Sequence, residues 1–425
     1  MDRYYEYISL DLPAILTALF ASIACALLGS FLVLRRQSLM GDAISHAVLP
    51  GIVGAFLVSS SRNGFVVFLG AAAAAVLAVL LVEFIHKLGK VEIGAAMGVV
   101  FSSFFAGGVL LIERAAARSV DLDADCLLHG QLESIFWFPP RNAGEFFTLA
   151  TFSALPPEVM TSFTVMLAVT ILIIVLYKEL QLATFDPAHA TALGFRAPLL
   201  HYLLMIFVAA AVVASFEAVG SILVIGMLIC PAAAARMLTD RLRSQLIVSG
   251  VLASFIAAGG YASATIVPWL AGWPHSVNAA GAMISLAGLT LGAVILIAPR
   301  HGIISRRLRQ VFLALRIAEE DILGYLYRKQ EHGEQRVGIA EIGCAVGGSA
   351  YCCRLAISLL SAGGKILLRS GTAALTDRGR NAAAAIIRNH RLWEEYLVED
   401  AGLQLREVHT IADQLEHLPA TGLEE

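Results

Sequence analysis

Runs of about twenty apolar residues recur along the first 300 residues of the chain, and no other feature restricts its fold as strongly. An α-helix of about that length crosses the hydrocarbon core of a bilayer. We predict eight or nine membrane spans, because the stretches 134–152 and 198–237 are ambiguous. The candidate spans are 12–34, 43–60, 64–86, 92–112, 161–180, 198–217, 219–237, 245–266 and 277–298.

The composition agrees with a membrane protein but is uneven along the chain. Hydrophobic residues make up 58% of the 425 residues and charged residues 15%, whereas soluble domains contain about 25% charged residues. About half of the charged residues lie after position 299. We therefore predict a transmembrane domain over 1–299, a basic linker over 300–317, a winged-helix-like domain over 318–378 and a helical segment over 379–425.

Basic loops set the predicted orientation, because cytoplasmic loops are enriched in Lys and Arg. If the spans alternate, the basic positions near Arg35, Lys87, Lys178, Arg236 and Arg306 fall on one side. That side is predicted to be cytoplasmic, which puts the N-terminus outside and the C-terminal region in the cytoplasm. The first apolar run is predicted to be a retained span, since no basic start of a cleavable signal precedes it.

The region after 317 has the pattern of a soluble α+β unit. One helix is predicted over 318–331, two short helices over 337–361, and a hairpin over 364–376 with Ser370 and Gly371 as its turn. Two more helices are predicted over 377–399 and 405–418. The fold class is therefore mainly α, a polytopic helical membrane bundle followed by a winged helix and a further helical segment.

The segment 41–51, GDAISHAVLPG, carries the most informative polar residues of the membrane region. Asp42 and His46 are four residues apart and share one face of a helix. Such groups are costly in lipid, so they are expected to face the bundle interior or a wet path. A carboxylate and an imidazole suit manganese, iron or zinc. The alternative is that Asp42 caps a helix and His46 packs in the core.

This segment resembles the signature of the metal-ion ABC permeases, which import manganese, zinc or iron(II). The resemblance continues in 216–220, FEAVG, and in 229–236, ICPAAAAR, which are similar to the family's QAVG and APAATAR. It implies that Asp42 and His46 contribute to the metal path.

The resemblance also covers 185–195, which is similar to the family's FDPxxAxxxG loop. An Asp followed by Pro at the first helical position is a typical helix start. By resemblance, Asp186, Pro187, Ala190 and Gly194 belong to the coupling helix that inserts into an ATPase subunit. An ordinary capped loop is the alternative.

The resemblance implies three protein partners and a location in the bacterial inner membrane. The partners are a separate ABC ATPase, a metal-binding extracytoplasmic solute-binding protein, and a second permease subunit that is identical or related. No GxxxxGK[ST] motif occurs in the chain. We therefore predict that the chain is not an enzyme and that ATP is hydrolysed by the separate subunit.

The sequence departs from the family pattern in several places. Glu217 stands where the family more often has Gln, and it either lines the path or pairs with a neighbouring helix. Residues 273–278 replace an expected PTG-like turn. The loop that holds Asp121, Asp123, Asp125 and His129 resembles a metal site in composition, but solvated loop acids are the favoured interpretation.

The C-terminal segment carries a second set of candidate metal ligands. His390 and Glu394 share one helical face, and His409, Asp413, Glu416 and His417 share another. Imidazoles and carboxylates together form a transition-metal ligand set. The polar faces of two charged helices are the alternative.

This segment resembles the metal-binding and dimerisation part of the iron- and manganese-dependent repressors, and 375–380 is similar to the LTxKG after that family's wing. The resemblance implies an ancillary site at His390, Glu394 and His409. It also implies a regulatory site at Asp321, His390, Asp413, Glu416 and His417. Asp413 replaces the family's Cys or Glu, which favours manganese, while Gly324 replaces an acid used by manganese-type regulators.

These observations predict the permease subunit of an ABC importer for a divalent transition metal, manganese first and then iron or zinc. The C-terminal region is predicted to sense Mn²⁺ or Fe²⁺, either as an appendage or as a device that closes the pore when metal is abundant. The alternative is a membrane-tethered or released metal-dependent repressor. DNA binding has weak support, because the helix near 348–360 has Arg354 as its single cation.

Overall fold

The chain forms two compact units, residues 1–303 and 304–425. The structure is a computed structural model that describes residues 2–59, 64–116, 132–138, 155–273, 277–347 and 349–399. It also describes the five positions 401, 403, 408, 411 and 412. The side chains of 2–8, 64–65, 67, 114–116 and 217 lie outside this description.

Nine helices in the described part of the first unit are long and apolar enough to cross a membrane. This confirms the predicted bundle of eight or nine spans. The nine helices are α1 (Asp2–Leu34), α2 (Met40–Ser59), α3 (Gly64–Gly89), α4 (Ile93–Ala116), α5 (Pro157–Val175), α8 (Ala197–Val219), α9 (Ser221–Leu238), α10 (Leu242–Ala271) and α11 (Ala279–Ile297).

Two short helices, α6 (Tyr177–Phe185) and α7 (Pro187–Ala192), lie between the fifth and sixth spans. The fifth span ends at Val175 rather than near 180, because the backbone leaves the helical conformation at Leu176. A single 3₁₀ turn, Leu132–Ser134, is described between α4 and α5.

Helix α1 lies at the centre of the bundle and packs against α5, α8, α9 and α10, while α2 packs against α3 and α4. Small residues make these contacts close, as is usual between membrane helices. Gly29 of α1 lies directly against the backbone of Leu228 on α9. On α2, a Cβ atom at Gly51 would lie 2.6 Å from both the Cβ of Ala74 and the carbonyl oxygen of Gly70. Glycine is therefore required for the present spacing of α2 and α3.

The second unit has the predicted winged-helix order. Its elements are α12 (Ile303–Glu331), β1 (Val337–Gly338), α13 (Ile339–Val346), α14 (Ala350–Ala362), β2 (Ile366–Arg369), β3 (Thr372–Leu375) and α15 (Asp377–Glu399). The strands form an antiparallel sheet in the order β1-β3-β2. Ser370 and Gly371 form the hairpin turn, with φ of 50° and 78°, the positive values that a two-residue hairpin of type I′ requires.

The range 300–317, predicted as a linker, is helical from Ile303 onward. The reason is local, because this range contains Leu, Arg, Ala and Gln but neither Gly nor Pro after position 302. Farther on, Val408 and Ala412 are helical and buried with Leu397. Ile411 is also helical, and the other residues of the helix predicted over 405–418 lie outside the described residues.

Candidate metal path and docking segment

Asp42 and His46 lie in the first two turns of α2, within the second membrane span. His46 Nε2 is 3.4 Å from Asp42 Oδ1, and the two side chains are 22% and 38% exposed, respectively. The pair is therefore neither in the packed core nor fully open. Two donor atoms that share a partly open helical face can bind one cation together.

Two aromatic rings of α4 hold the imidazole of His46 in place. The rings of Phe101 and Phe105 lie 4.5 and 5.4 Å from it, centroid to centroid, both in edge-on geometry. Close to the start of α2, a Cβ atom at Gly41 would touch the side chain of Leu228 at 3.1 Å. The ring orientation and the helix position are thus both set by packing.

The pair supplies two ligands and not a complete metal site. Within the described part of the chain, no group of three His, Cys, Asp or Glu residues is arranged to hold a metal ion. Manganese, iron and zinc take four or more ligands. Any ion bound here therefore needs further ligands beyond this pair.

The segment 186–195 has the capped geometry that its sequence predicts. The Asp186 carboxylate accepts a hydrogen bond from the backbone N–H of His189 at 2.9 Å, and Pro187 occupies the first turn of α7. Gly194 ends the segment at a φ of 89°, where the backbone N–H of Phe195 donates to the carbonyl of Ala190. Ala190 is fully buried, so α7 is fixed to the protein along one side.

The other sides of this docking segment, which we define as residues 185–196, are exposed and partly apolar. Phe185 and Leu193 are 55% and 58% exposed, and Leu199 beyond the segment is 59% exposed. A groove of about 500 Å³ lies along Thr191, Gly194, Phe195, Arg196, Pro198, Leu199 and Tyr202. Exposed apolar side chains beside a groove are typical of a protein contact surface.

Arg35 connects the docking segment to the start of α2, and sequence reasoning did not find this. It follows the last residue of α1, five residues before α2 begins. Its Nε and Nη2 atoms donate to Thr184 Oγ1 at 3.2 and 3.1 Å, and Nη1 lies 3.0 Å from His201 Nδ1. Burial lowers the pKa of Arg35 to about 10.

The contacts of Arg35 continue into α3. His201 Nε2 lies 3.6 Å from Glu83 Oε2, and Glu83 Oε1 pairs with Lys87 Nζ at 2.7 Å. Lys87 also donates to the hydroxyl of Tyr202 at 3.3 Å. We call Arg35, Glu83, Lys87, Thr184 and His201 the Arg35 network. It lines a cavity of about 410 Å³ beside Pro187 and Thr191 of the docking segment.

In the second unit, His390 and Glu394 form the predicted i,i+4 pair on α15. His390 Nε2 lies 3.0 Å from Glu394 Oε1, and the imidazole is 11% exposed. A buried imidazole beside a carboxylate fits the donor chemistry of a transition-metal site. Asp321, the third predicted ligand in the described part of the chain, is half-buried on α12.

The remaining predicted ligands, His409, Asp413, Glu416 and His417, lie outside the described residues, as do the acidic loop 121–129 and residues 274–276. The side chain of Glu217 lies outside them too. The predictions made for these positions stay predictions.

A membrane bundle with a carboxylate–imidazole pair on one span and a capped, exposed helix between two others defines the membrane subunit of a transporter. The chain belongs to the ABC 3 transport family, whose match covers residues 6–136 and 152–298. Residues 376–425 match the metal binding and dimerisation domain of the iron dependent repressors.

The relatives are named for manganese and zinc transport. The chain is 41% identical to the manganese transport system membrane protein MntD of Bacillus subtilis, over 69% of this chain and 94% of that protein. It is 36% identical to the zinc transport system membrane protein TroD of Treponema pallidum, over 78% and 86%. With MntC of B. subtilis it shares 30% identity over 91% of this chain and 83% of that protein, so this similarity extends beyond the last span.

The fold is similar to that of PsaBC from Streptococcus pneumoniae, whose structure was solved in complex with Fab. The TM-score is 0.54 and the sequence identity 28%, over 70% of this chain and 94% of that one.

Proposed function

We propose that this chain is the permease subunit of an ABC importer that carries a divalent transition metal into the cytoplasm, manganese first and then iron or zinc. The Asp42–His46 pair carries the proposal, because it places a chelating carboxylate and imidazole within a membrane span. A mixed oxygen and nitrogen pair suits all three metals. Manganese is put first because MntD and MntC, both named for manganese transport, are among the relatives.

In the proposed assembly, two permeases pair with each other and with two separate ATPase subunits. The second permease is a further copy of this chain or a related one, and its own pair completes the coordination of the ion. The docking segment fits a groove on the ATPase, since it offers exposed Phe185 and Leu193 on a rigidly capped helix. An extracytoplasmic binding protein delivers the metal to the opposite face.

The test is the double variant Asp42→Ala with His46→Ala in the assembled transporter. We expect uptake of radioactive manganese to be abolished, because the ion loses both side-chain ligands in the span. Membrane insertion and binding of the ATPase subunit should remain normal, because both side chains are partly open and neither belongs to the docking segment. A variant of an exposed histidine in the second unit, His332→Ala, serves as the control. Normal uptake in the double variant would refute the assignment.

For the second unit we propose a cytoplasmic metal-sensing role. The match of residues 376–425 to the repressor metal-binding domain and the buried His390–Glu394 pair support it. His390, Glu394, Asp321 and the predicted ligands after 408 would hold Mn²⁺ or Fe²⁺. The bound ion would supply a positively charged cross-link between acidic and imidazole side chains of different helices.

The surface of α14 favours this role over the alternative of a tethered or released repressor. In a winged helix, this is the helix that would enter the major groove. Its exposed face carries the apolar side chains of Tyr351, Leu355 and Leu359, which are 78%, 37% and 45% exposed. Arg354 is the single cation of the helix, whereas contacts to DNA depend chiefly on several cations at the phosphates.

A further inference from the structure

The first half of α12 carries an apolar stripe that is open to its surroundings. Ile304, Leu308, Val311 and Phe312 are 48%, 51%, 55% and 67% exposed. Their spacing of four, seven and eight residues puts them on one face of the helix. The stripe continues through Leu315, Ile322 and Leu326, which are buried in the second unit. One helix thus has a covered apolar half and an uncovered one.

Three arginines lie on the other faces of this first half, together with the exposed side chains of Ile303 and Leu313. Arg306, Arg307 and Arg309 follow one another within a single turn, and no Asp or Glu occurs between 300 and 318. Arg306 and Arg307 are exposed. A helix with an apolar face and a basic face is typical of segments that lie in the plane of the bilayer interface, where anionic headgroups attract the cations.

The position of the helix in the chain identifies the surface that it meets. The last span, α11, ends at Ile297, and α12 begins at Ile303. Five residues, 298–302, therefore separate the amphipathic half from the end of the last span. A lipid surface is in reach there whatever other protein is bound.

We propose that residues 303–313 lie in the headgroup region of the leaflet at which the last span ends. Ile304, Leu308 and Phe312 enter the boundary with the acyl chains, and the three arginines bind anionic lipid phosphates. The helix then fixes the start of the second unit at the membrane surface. This assignment is independent of which metal is carried and of the ATPase partner.

The test places a photoreactive benzophenone amino acid at Leu308, at Phe312 or at Gln310 of the full chain, reconstituted in bilayers. Gln310 lies on the opposite side of the same helix and is the matched control. After illumination, mass spectrometry shows whether the probe has reacted with lipid or with protein. Bilayers that contain phosphatidylglycerol are compared with bilayers of phosphatidylcholine alone.

We expect lipid adducts at 308 and 312, few at 310, and a lower yield without phosphatidylglycerol. Adding Arg306→Gln and Arg307→Gln should lower the yield by about fivefold for each arginine removed. Cross-links to a second copy or to another protein subunit would overturn the proposal, and so would equal yields at all three positions. Equal yields in both lipids would overturn the binding of anionic headgroups. Because the probe is placed at both Leu308 and Phe312, the test remains valid if the probe disturbs folding at one of these positions.

Discussion

At the scale of single residues, Arg35 has the most consequential position among the polar groups near the docking segment. Its guanidinium contacts Thr184, two residues before Asp186, and His201 in the first part of α8. The same residue belongs to the turn that leads into α2 and its Asp42–His46 pair. A displacement of the docking segment would therefore reach the proposed metal ligands through a single side chain and one short turn.

Replacing Arg35 by Met should uncouple ATP hydrolysis from transport. Thr184 and His201 would lose a charged partner, which costs about 1.5–3 kcal/mol for a hydrogen bond to a charged group. We expect the manganese taken up per ATP hydrolysed to fall at least about tenfold, the factor that 1.4 kcal/mol produces in an equilibrium. Binding of the ATPase subunit should persist, and Arg35→Lys should restore part of the ratio.

The neighbouring Arg36 provides the control for this experiment. It is exposed, and like Arg35 it precedes α2. The variant Arg36→Met should leave the ratio of uptake to hydrolysis unchanged. Equal losses in both variants would mean that positive charge at this turn matters and the Arg35 contacts do not. If the unmodified chain does not bind the ATPase subunit, the proposed docking segment is refuted instead.

Local sequence patterns predicted some residues of the candidate site and missed others. Asp42 and His46, or Asp186 and Gly194, are close in sequence, so helical periodicity and capping rules reveal them. Arg35 comes from the turn after α1, Glu83 from α3 and His201 from α8, and no spacing rule brings them together. The sequence did contain one signal for this network, namely Glu83 within an apolar run. A charged residue in a span is costly and requires a partner.

At the scale of helices, hydropathy predicted the spans well because each one is a continuous apolar run. It could not predict how closely they pack, since that depends on which small residues face each other. Gly51 of α2 faces Gly70 and Ala74 of α3, whereas Gly54, one turn later, has no neighbouring atom within 4 Å of a Cβ position. The two glycines are identical by hydropathy and differ entirely in their surroundings.

The variants Gly51→Ala and Gly54→Ala should therefore shift stability in opposite directions. At Gly51 the added methyl group overlaps the backbone of α3, and such overpacking costs about 1–3 kcal/mol. At Gly54 the methyl group meets open space, and the change should gain about 0.5–1 kcal/mol from backbone entropy alone. Thermal unfolding of the purified protein in one detergent measures both. Equal shifts would show that α2 and α3 are not packed as described.

At the scale of the whole molecule, the two units allow the transport and sensing roles to be separated. A chain that ends at Ile303 keeps the nine spans of the described part and the docking segment. We expect it to take up manganese normally in metal-poor cells. Uptake should continue in metal-replete cells, where uptake by the full chain slows. The reason is that the proposed sensor ligands are all in the removed unit. Uptake assays over a series of internal metal concentrations measure the difference.

A single substitution provides the matched comparison for this truncation. His390→Ala removes the buried imidazole of the pair with Glu394 and should reproduce the loss of feedback. Arg391→Ala changes the adjacent exposed residue and should not. Feedback that survives both the truncation and the histidine variant would show that the second unit does not regulate the pore.

Only residues 298–302 separate the last span from α12. One chain would therefore supply the proposed pore and the proposed sensor in a fixed ratio of one to one, whatever the level of expression. In a transporter that holds two such chains, the two second units share a confined volume, and short tethers of this kind give effective concentrations in the millimolar range. Their pairing would then respond to metal and not to protein abundance.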